Sequence, residues 1–158
     1  MKIFILICIT SINISCEQFK LIPTEAENLK NKISTYRGKK AIILNVWALW
    51  CKPCIEEFPM LVDFHNTIED LEVIFVSADF EDEFKEVSEF LSNYNIGSFS
   101  YIKSQKDEIF INEIHPNWSG SLPFTIIYAK KSGEIIDYWE GKEKEKIFKE
   151  AIRLALSL

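Results

Sequence analysis

Cys51, Lys52, Pro53 and Cys54 are the residues of this chain whose types and spacing suit a reaction: two thiols separated by two residues can close into a disulfide and open again. The sequence holds 4 cysteines, Cys8, Cys16, Cys51 and Cys54, and only the last two are close enough to act together. At the amino terminus of a helix, unpaired backbone N–H groups and the helix dipole stabilise a thiolate, and the Lys52 ammonium pushes the same way. Cys51, at the outer end, is the expected nucleophile and forms a mixed disulfide with a substrate. Cys54, one turn inward, then attacks the Cys51 sulfur and releases the reduced substrate. Pro53 fixes one backbone angle between the two thiols and removes a donor. A structural zinc site would need a second pair of ligands, and only His65 and His115 remain as nitrogen donors, so no metal is expected. His65, among Asn66, Glu69 and Asp70, reads as a solvated surface residue, and His115, before Pro116, as a loop residue. Glu56 and Glu57, just after the pair, read as acids favoured in a first turn by the dipole alone.

Such a pair must be held by a strand that leads into it and a helix that follows. Residues Ala41 to Trp47 are nearly all apolar, as in a strand buried on both faces, and they run straight into Trp50 and Cys51. After Cys54, Ile55, Phe58, Leu61, Val62 and Phe64 recur at helical spacing, with Pro59 inside as an expected kink. Upstream, Ala26, Leu29, Ile33 and Tyr36 predict a helix within Thr24 to Tyr36, with Thr24 and Glu27 spaced as a capping box. Downstream, Leu71 to Val76 reads as a strand, and Phe84, Val87, Phe90, Leu91 and Tyr94 as one face of a helix. Tyr101 and Ile102 suggest a short strand and Ile109 to Ile114 a short helix. Phe124 to Tyr128 and Ile135 to Trp139 predict a hairpin joined through Lys130 to Gly133, and a helix over 143–156 closes the chain. The order of elements predicts an α/β domain: a central mixed β-sheet flanked by helices on both faces.

With 158 residues the chain is long enough for one domain with a sizeable core, and 47% hydrophobic with 5 Gly and 5 Pro excludes collagen-like and wholly disordered sequences. A formal charge of -6 offers no attraction to phosphate backbones, which excludes nucleic acid as an expected partner. The first residues combine Lys2, the apolar run Ile3 to Ile9, and small or polar residues up to Ser15, the layout of an export signal too short to span a bilayer. At Asn13, Ile14, Ser15 and Cys16 the chain resembles a bacterial lipoprotein precursor, with Asn13 where such boxes usually carry Leu. The resemblance implies cleavage before Cys16, lipidation of that cysteine, and a periplasmic domain anchored to the membrane through the lipid. Three regions are therefore expected: an export signal over 1–16, an amino-terminal extension with a helix over 17–37, and the main domain over 38–158.

At NVWALWCKPC followed by IEEFP, the sequence resembles the thioredoxin superfamily, and most closely its exported, membrane-attached TlpA/ResA-like thiol-disulfide oxidoreductases. Gly38 and Lys39, Ser77 to Asp79, and SLPFTIIYAKKSGEII also sit where that family has counterparts, so the similarity covers roughly Gly38 to Leu158. It implies a thioredoxin-like fold, Cys51 and Cys54 as the catalytic, redox-active disulfide pair, and no cofactor. The family residue matching Pro123 is a cis-proline that faces the dithiol and helps present a strand edge to substrate. Leu122 and Pro123 are accordingly expected to bind substrate, with Trp50 and Pro53 beside the thiols. Trp118, in the loop leading to Pro123, either rims a substrate groove with Trp50 or covers the core.

The chain departs from the family in three places. Asn45 stands six residues before Cys51, where thioredoxin has a buried Asp, which leaves open what deprotonates Cys54. Lys52 stands where ResA-type proteins can carry an acid, so the family's redox tuning does not carry over. The helix within Thr24 to Tyr36 is expected to replace the family's usual amino-terminal strands. The expected activity is reduction or exchange of protein disulfides in an extracytoplasmic compartment, with a membrane electron donor restoring the dithiol. Alternatives are a redox-inactive binding module and a peroxidase of the peroxiredoxin branch. That branch places Thr or Ser three residues before its reactive cysteine, where this chain has Ala48.

Overall fold

The computed structural model describes residues 19–94, 96–97 and 99–158; the expected export signal and Cys16 lie outside the described residues. The sheet is organised around β2 (Ala41–Trp47), in which every residue is buried. A strand covered on both faces leaves its side chains nowhere to meet water, which is why AIILNVW is nearly free of polar residues. β2 pairs in parallel with β3 (Leu71–Ser77) on one side and antiparallel with β5 (Phe124–Tyr128) on the other. Outward from β3 lie β4 (Phe99–Lys103) and then β1 (Lys20–Thr24), both parallel; outward from β5 lies β6 (Ile135–Glu140), antiparallel. The order β1-β4-β3-β2-β5-β6 makes the expected mixed sheet.

Alternation along β2 divides the core in two. Ala41, Ile43 and Trp47 face α2 (Lys52–Thr67), α3 (Phe84–Ser92) and α5 (Glu145–Ser157) through Phe58, Leu61, Val87, Leu91, Phe148 and Ile152. Ile42, Leu44 and Val46 face α1 (Ala26–Ser34) and α4 (Asp107–Ile114) through Leu29, Ile33, Phe110 and Ile114. Helices thus cover both faces, as the pattern of elements predicts. On the first face Phe58 gathers an aromatic cluster, with ring centroids 4.3 Å from Phe75, 4.9 Å from Tyr94, 5.0 Å from Trp47 and 5.2 Å from Phe90. Pro59 lies inside α2 without ending it. Among the described residues no helix is long and apolar enough to cross a membrane.

Two expectations at the amino-terminal end are corrected. The α1 helix does not replace a strand; it follows β1, which closes the edge of the sheet against β4. KLIPT gives a weak strand signal because only Leu21 and Thr24 are buried, and Pro23 is tolerated because β1 has a ladder partner on one side only. The capping box also does not form, because Thr24 is still in the ladder opposite Lys103 and its hydroxyl donates to the Glu25 carbonyl at 3.3 Å. The first N–H of α1, on Ala26, instead donates to the Gln105 side chain at 3.1 Å.

Phe58→Ala removes the centre of the aromatic cluster on the α2 face and is expected to destabilise the fold by about 3–5 kcal/mol. A shift of the urea midpoint with an unchanged slope, read by circular dichroism, checks it.

Candidate active site

The strand β2 and the helix α2 are separated by a turn of a few residues, and the dithiol stands where the turn becomes helix. Cys51 is the N-cap of α2, with φ -86° and ψ 92°, and its sulfur accepts the Cys54 backbone N–H at 3.3 Å. Pro53 falls in the first helical turn, where its missing N–H has no intrahelical partner to lose. Cys51 and Cys54 are joined in a disulfide with Cα atoms 5.3 Å apart. Both are buried, at 4% and 2% exposure, while Trp50 beside them is 67% exposed and Lys52 and Pro53 are exposed.

The turn itself is gripped from β3. Asp79, wholly buried, accepts the Leu49 N–H on both carboxylate oxygens, at 3.1 and 3.0 Å, and the Ser77 hydroxyl at 2.7 Å. Burial pushes the Asp79 carboxyl up, and the hydrogen bonds from Ser77 and Leu49 oppose the rise. Cys51 N–H in turn donates to the Ala48 carbonyl at 3.1 Å, so the backbone just before the dithiol is pinned at Leu49 and again at Cys51.

One helical turn beyond Cys54, and on the same face of α2, is Glu57. The expectation that the dipole favours Glu56 and Glu57 in a first turn is corrected: no acid falls in the first turn of α2, and Glu56 is instead exposed and pairs with Lys142 at 2.8 Å. Glu57 is 2% exposed. One of its oxygens accepts the Glu143 N–H at 3.0 Å, and the other, Oε1, is buried with no hydrogen-bond partner among the described residues. Burial pushes its carboxyl up to about 7 against the pull of the Glu143 N–H and the Lys142 ammonium. Asn45, buried on β2, donates to the Thr125 hydroxyl at 3.1 Å. The signal for Glu57 lay in the helical spacing: Cys54, Glu57, Phe58 and Leu61 share the buried stripe of α2, so an acid there faces inward.

The loop before β5 packs against the same core cluster through Leu122. The Leu122–Pro123 peptide is cis, as the resemblance implies. Pro123 is buried and its carbonyl accepts the Gly141 N–H at 2.8 Å, while Leu122 packs against the core cluster that contains Cys51 and Cys54. Glu140, at the end of β6, accepts both the backbone N–H of Ser119, at 2.8 Å, and the Ser119 hydroxyl, and so ties this loop to the sheet. The two tryptophans divide: Trp50 is exposed, whereas Trp118 is buried, stacked on Phe124 at 4.6 Å, with its indole N–H donating to the Ser121 carbonyl at 2.9 Å.

The histidines lie apart from this chemistry. His65 is half-buried rather than solvated, and its Nδ1 accepts the Val73 N–H at 3.3 Å. His115 is buried beside the Tyr138 ring, with centroids 4.0 Å apart. The arrangement as a whole can cycle between dithiol and disulfide at a helix amino terminus, with a carboxyl that titrates near neutrality one turn away.

Comparison with known proteins agrees with this chemistry. The profile of the AhpC/TSA family matches residues 14–149. The thiol-disulfide oxidoreductase ResA of Bacillus thuringiensis subsp. konkukian is 23% identical over 133 residues, covering 84% of this chain and 72% of the relative. Among solved structures, a thiol-disulfide isomerase from Corynebacterium glutamicum superposes with a TM-score of 0.67 at 19% identity, over 89% of this chain and 96% of the other. The pneumococcal exposed lipoprotein thioredoxin of Streptococcus pneumoniae strain TIGR4 superposes with a TM-score of 0.58 at 16% identity, over 77% of this chain and 88% of the other. The fold is thioredoxin-like.

Because folding raises the Glu57 carboxyl from 4.5 to about 7, the folded state holds a proton that the unfolded chain releases. Stability from this group is therefore full below about pH 4.5 and falls as pH rises to about 7, by about 3 kcal/mol in all. Glu57→Gln is expected to remove that slope, which urea unfolding across pH 4 to 8, with the disulfide intact, measures.

Proposed function

The chain belongs to the AhpC/TSA family, and from that premise we propose that it reduces or exchanges protein disulfides through Cys51 and Cys54 in an extracytoplasmic compartment. It is a thiol-disulfide oxidoreductase, the activity that its relative ResA carries in its name. The observation that carries the mechanism is the placement of the cysteine pair at the start of α2, with the unpartnered Glu57 oxygen one turn further on the same buried face.

In the reduced enzyme the Cys51 thiolate, favoured by the α2 amino terminus, attacks one sulfur of a client disulfide. The Cys51–client disulfide forms, the client's own S–S bond breaks, and the other client sulfur leaves as a thiolate. Glu57 takes the proton of Cys54, and the resulting thiolate attacks the Cys51 sulfur. The Cys51–Cys54 disulfide forms and the second client sulfur departs as a thiolate. Two electrons have passed from the enzyme dithiol to the client, and the proton on Glu57 is free to neutralise a departing thiolate. A carboxyl near 7 suits this work because it is easily both ionised and reprotonated at neutral pH.

Trp50, Pro53, Leu122 and Pro123 are the residues proposed to hold the client beside the thiols. An extended client segment laid against the loop before β5 can take backbone hydrogen bonds there. The next cycle requires an electron donor, proposed to be a membrane protein reached by an enzyme anchored through lipidated Cys16; the similarity to a lipoprotein thioredoxin supports that reading. A peroxidase reading finds at Ala48 no hydroxyl, and an idle binding module gives no reason for a buried acid beside Cys54.

Cys54→Ser is expected to leave Cys51 able to attack but unable to be released. Incubation with an oxidised client should then accumulate a covalent complex that is visible on a non-reducing gel and dissolved by dithiothreitol, whereas Cys51→Ser should form none. For the intact pair, the rate of the second step is expected to rise with pH through about 7 as Glu57 ionises. Glu57→Gln should lower that rate by about a hundredfold and remove the inflection, as stopped-flow fluorescence across pH 5 to 9 would read.

A further inference from the structure

The loop between α4 and β5 carries the cis Leu122–Pro123 peptide, and side chains of β6 fix its course. Residues two apart on a strand point to the same face, and two such residues, Tyr138 and Glu140, each hold the loop. The Tyr138 hydroxyl accepts the Asn117 side-chain amide at 2.9 Å. The Glu140 carboxylate accepts the Ser119 N–H on one oxygen, at 2.8 Å, and the Ser119 hydroxyl on the other. Asn117 and Ser119 are likewise two residues apart, so the side chains of β6 do for this stretch what a ladder does for a paired strand. Glu140 also marks the far end of the loop: it lies opposite Phe124, and Gly141 beside it donates its N–H to the Pro123 carbonyl at 2.8 Å. Consecutive residues thus hold Ser119 and Pro123, and Gly120, Ser121 and Leu122 between them are closed into a loop fixed at both ends.

Glu140 differs from an ordinary surface acid. Both of its oxygens serve one residue, and the Lys142 ammonium, two positions on, is engaged by Glu56 at 2.8 Å. Burial raises its carboxyl, and the hydrogen bonds from Ser119 outweigh that rise and hold it below the ordinary carboxylate range. Among the described residues its hydrogen bonds go to the loop, and to neither cysteine nor Glu57. Within the loop the Ser119 and Ser121 hydroxyls lie 2.9 Å apart, and the Ser121 carbonyl accepts the Trp118 indole N–H, so the grip on Ser119 is passed on to the residue before Leu122.

We propose that Glu140 is a positioning residue of disulfide exchange: through Ser119 it fixes the loop that presents Leu122 and Pro123 to a polypeptide client, and so governs how fast a peptide disulfide reacts while leaving the thiol chemistry alone. The proposal rests on the disulfide-exchange reading above. A loop held in place before the client arrives spares the encounter the entropy of ordering it; a loop freed from Glu140 must be ordered in the same step that seats the client. A small disulfide without a peptide backbone needs only the sulfurs and is indifferent to the loop. The bonds to Ser119 lie at the surface, so their loss leaves the fold standing and falls on the client instead.

The test compares two uncharged oxidants of the pre-reduced protein: a synthetic peptide closed by one internal disulfide, and bis(2-hydroxyethyl) disulfide, which has no backbone. Tryptophan fluorescence, with Trp50 next to Cys51, follows the loss of the dithiol and gives a second-order rate constant for each. Glu140→Ala is expected to lower the peptide constant about tenfold and leave the other unchanged, so that their ratio falls about tenfold. Glu140→Gln accepts the Ser119 N–H through its carbonyl and donates to the Ser119 hydroxyl oxygen through its amide, and should keep the ratio within about twofold of the unmodified protein. Ser119→Ala removes one of the two bonds and should lower the ratio about threefold; combined with Glu140→Ala it should add nothing, and it decides alone if Glu140→Ala does not fold. A ratio unchanged in Glu140→Ala, or two constants that fall together, would overturn the positioning role while leaving disulfide exchange in place. A fall in Glu140→Gln as large as in Glu140→Ala would overturn it too, because charge and not position would then be at work. Failure of the unmodified protein to reduce the peptide would overturn the exchange reading and the role of Glu140 with it.

Discussion

A buried carboxylate that grips a backbone N–H two residues before Cys51 is the contact on which the geometry of the site depends. Strand β2 points its last residues into a closed core, and α2 must begin almost at once with the Cys54 N–H turned toward the Cys51 sulfur. A turn that short has few internal hydrogen bonds, and without a partner the part-buried Leu49 N–H would cost about 1–3 kcal/mol. Asp79 supplies that partner from the end of β3, and Ser77 fixes the carboxylate that does so. The register of β2 against β3, with Trp47 opposite Ser77, therefore reaches into the position of the sulfurs.

Two adjacent acids on α2 show how much a helical rotation of 100° decides. Glu56 looks outward and pairs with Lys142; solvent screens that interaction, and the residue adds charge and little else. Glu57 looks inward, shares a face with Cys54, and is denied most of the hydration that would keep it ionised. Identical chemistry is thus divided by position alone into a solubilising group and a buried carboxyl raised to about 7. Where thioredoxin has an acid on the strand, this chain has Asn45 on the strand and an acid on the helix that packs over it.

Much of this was legible in the sequence. β2, α2, β3 and the β5–β6 hairpin announced themselves because each buries a long apolar face, and the cysteine spacing at a strand-to-helix junction gave the chemistry directly. What escaped were features set by contacts far along the chain. β1 hides behind Pro23 and becomes a strand only because residues near 100 pair with it. Thr24 looks like a cap until the ladder claims it and Gln105 takes over. His65 looks solvated from its sequence neighbours, but it is half-buried and accepts the Val73 N–H of β3. Glu57 is the exception, since its inward direction followed from local spacing alone; the general preference for acids in a first helical turn concealed it.

The placement of β1 also has a consequence for how the sheet is assembled in time. Among the described residues β1 pairs only with β4, 79 residues further along if Lys20 and Phe99 are taken as the matching ends. As the chain folds, β2 and β3 can meet by closing only the segment that holds α2, but β1 has to find its partner across most of the domain. Closing so long a loop is entropically slow, so the central strands form the template and the outer strand is the late arrival. Until then Leu21 and Thr24 have no core to enter, and the short length and proline of KLIPT make the waiting strand a poor template for another molecule's edge.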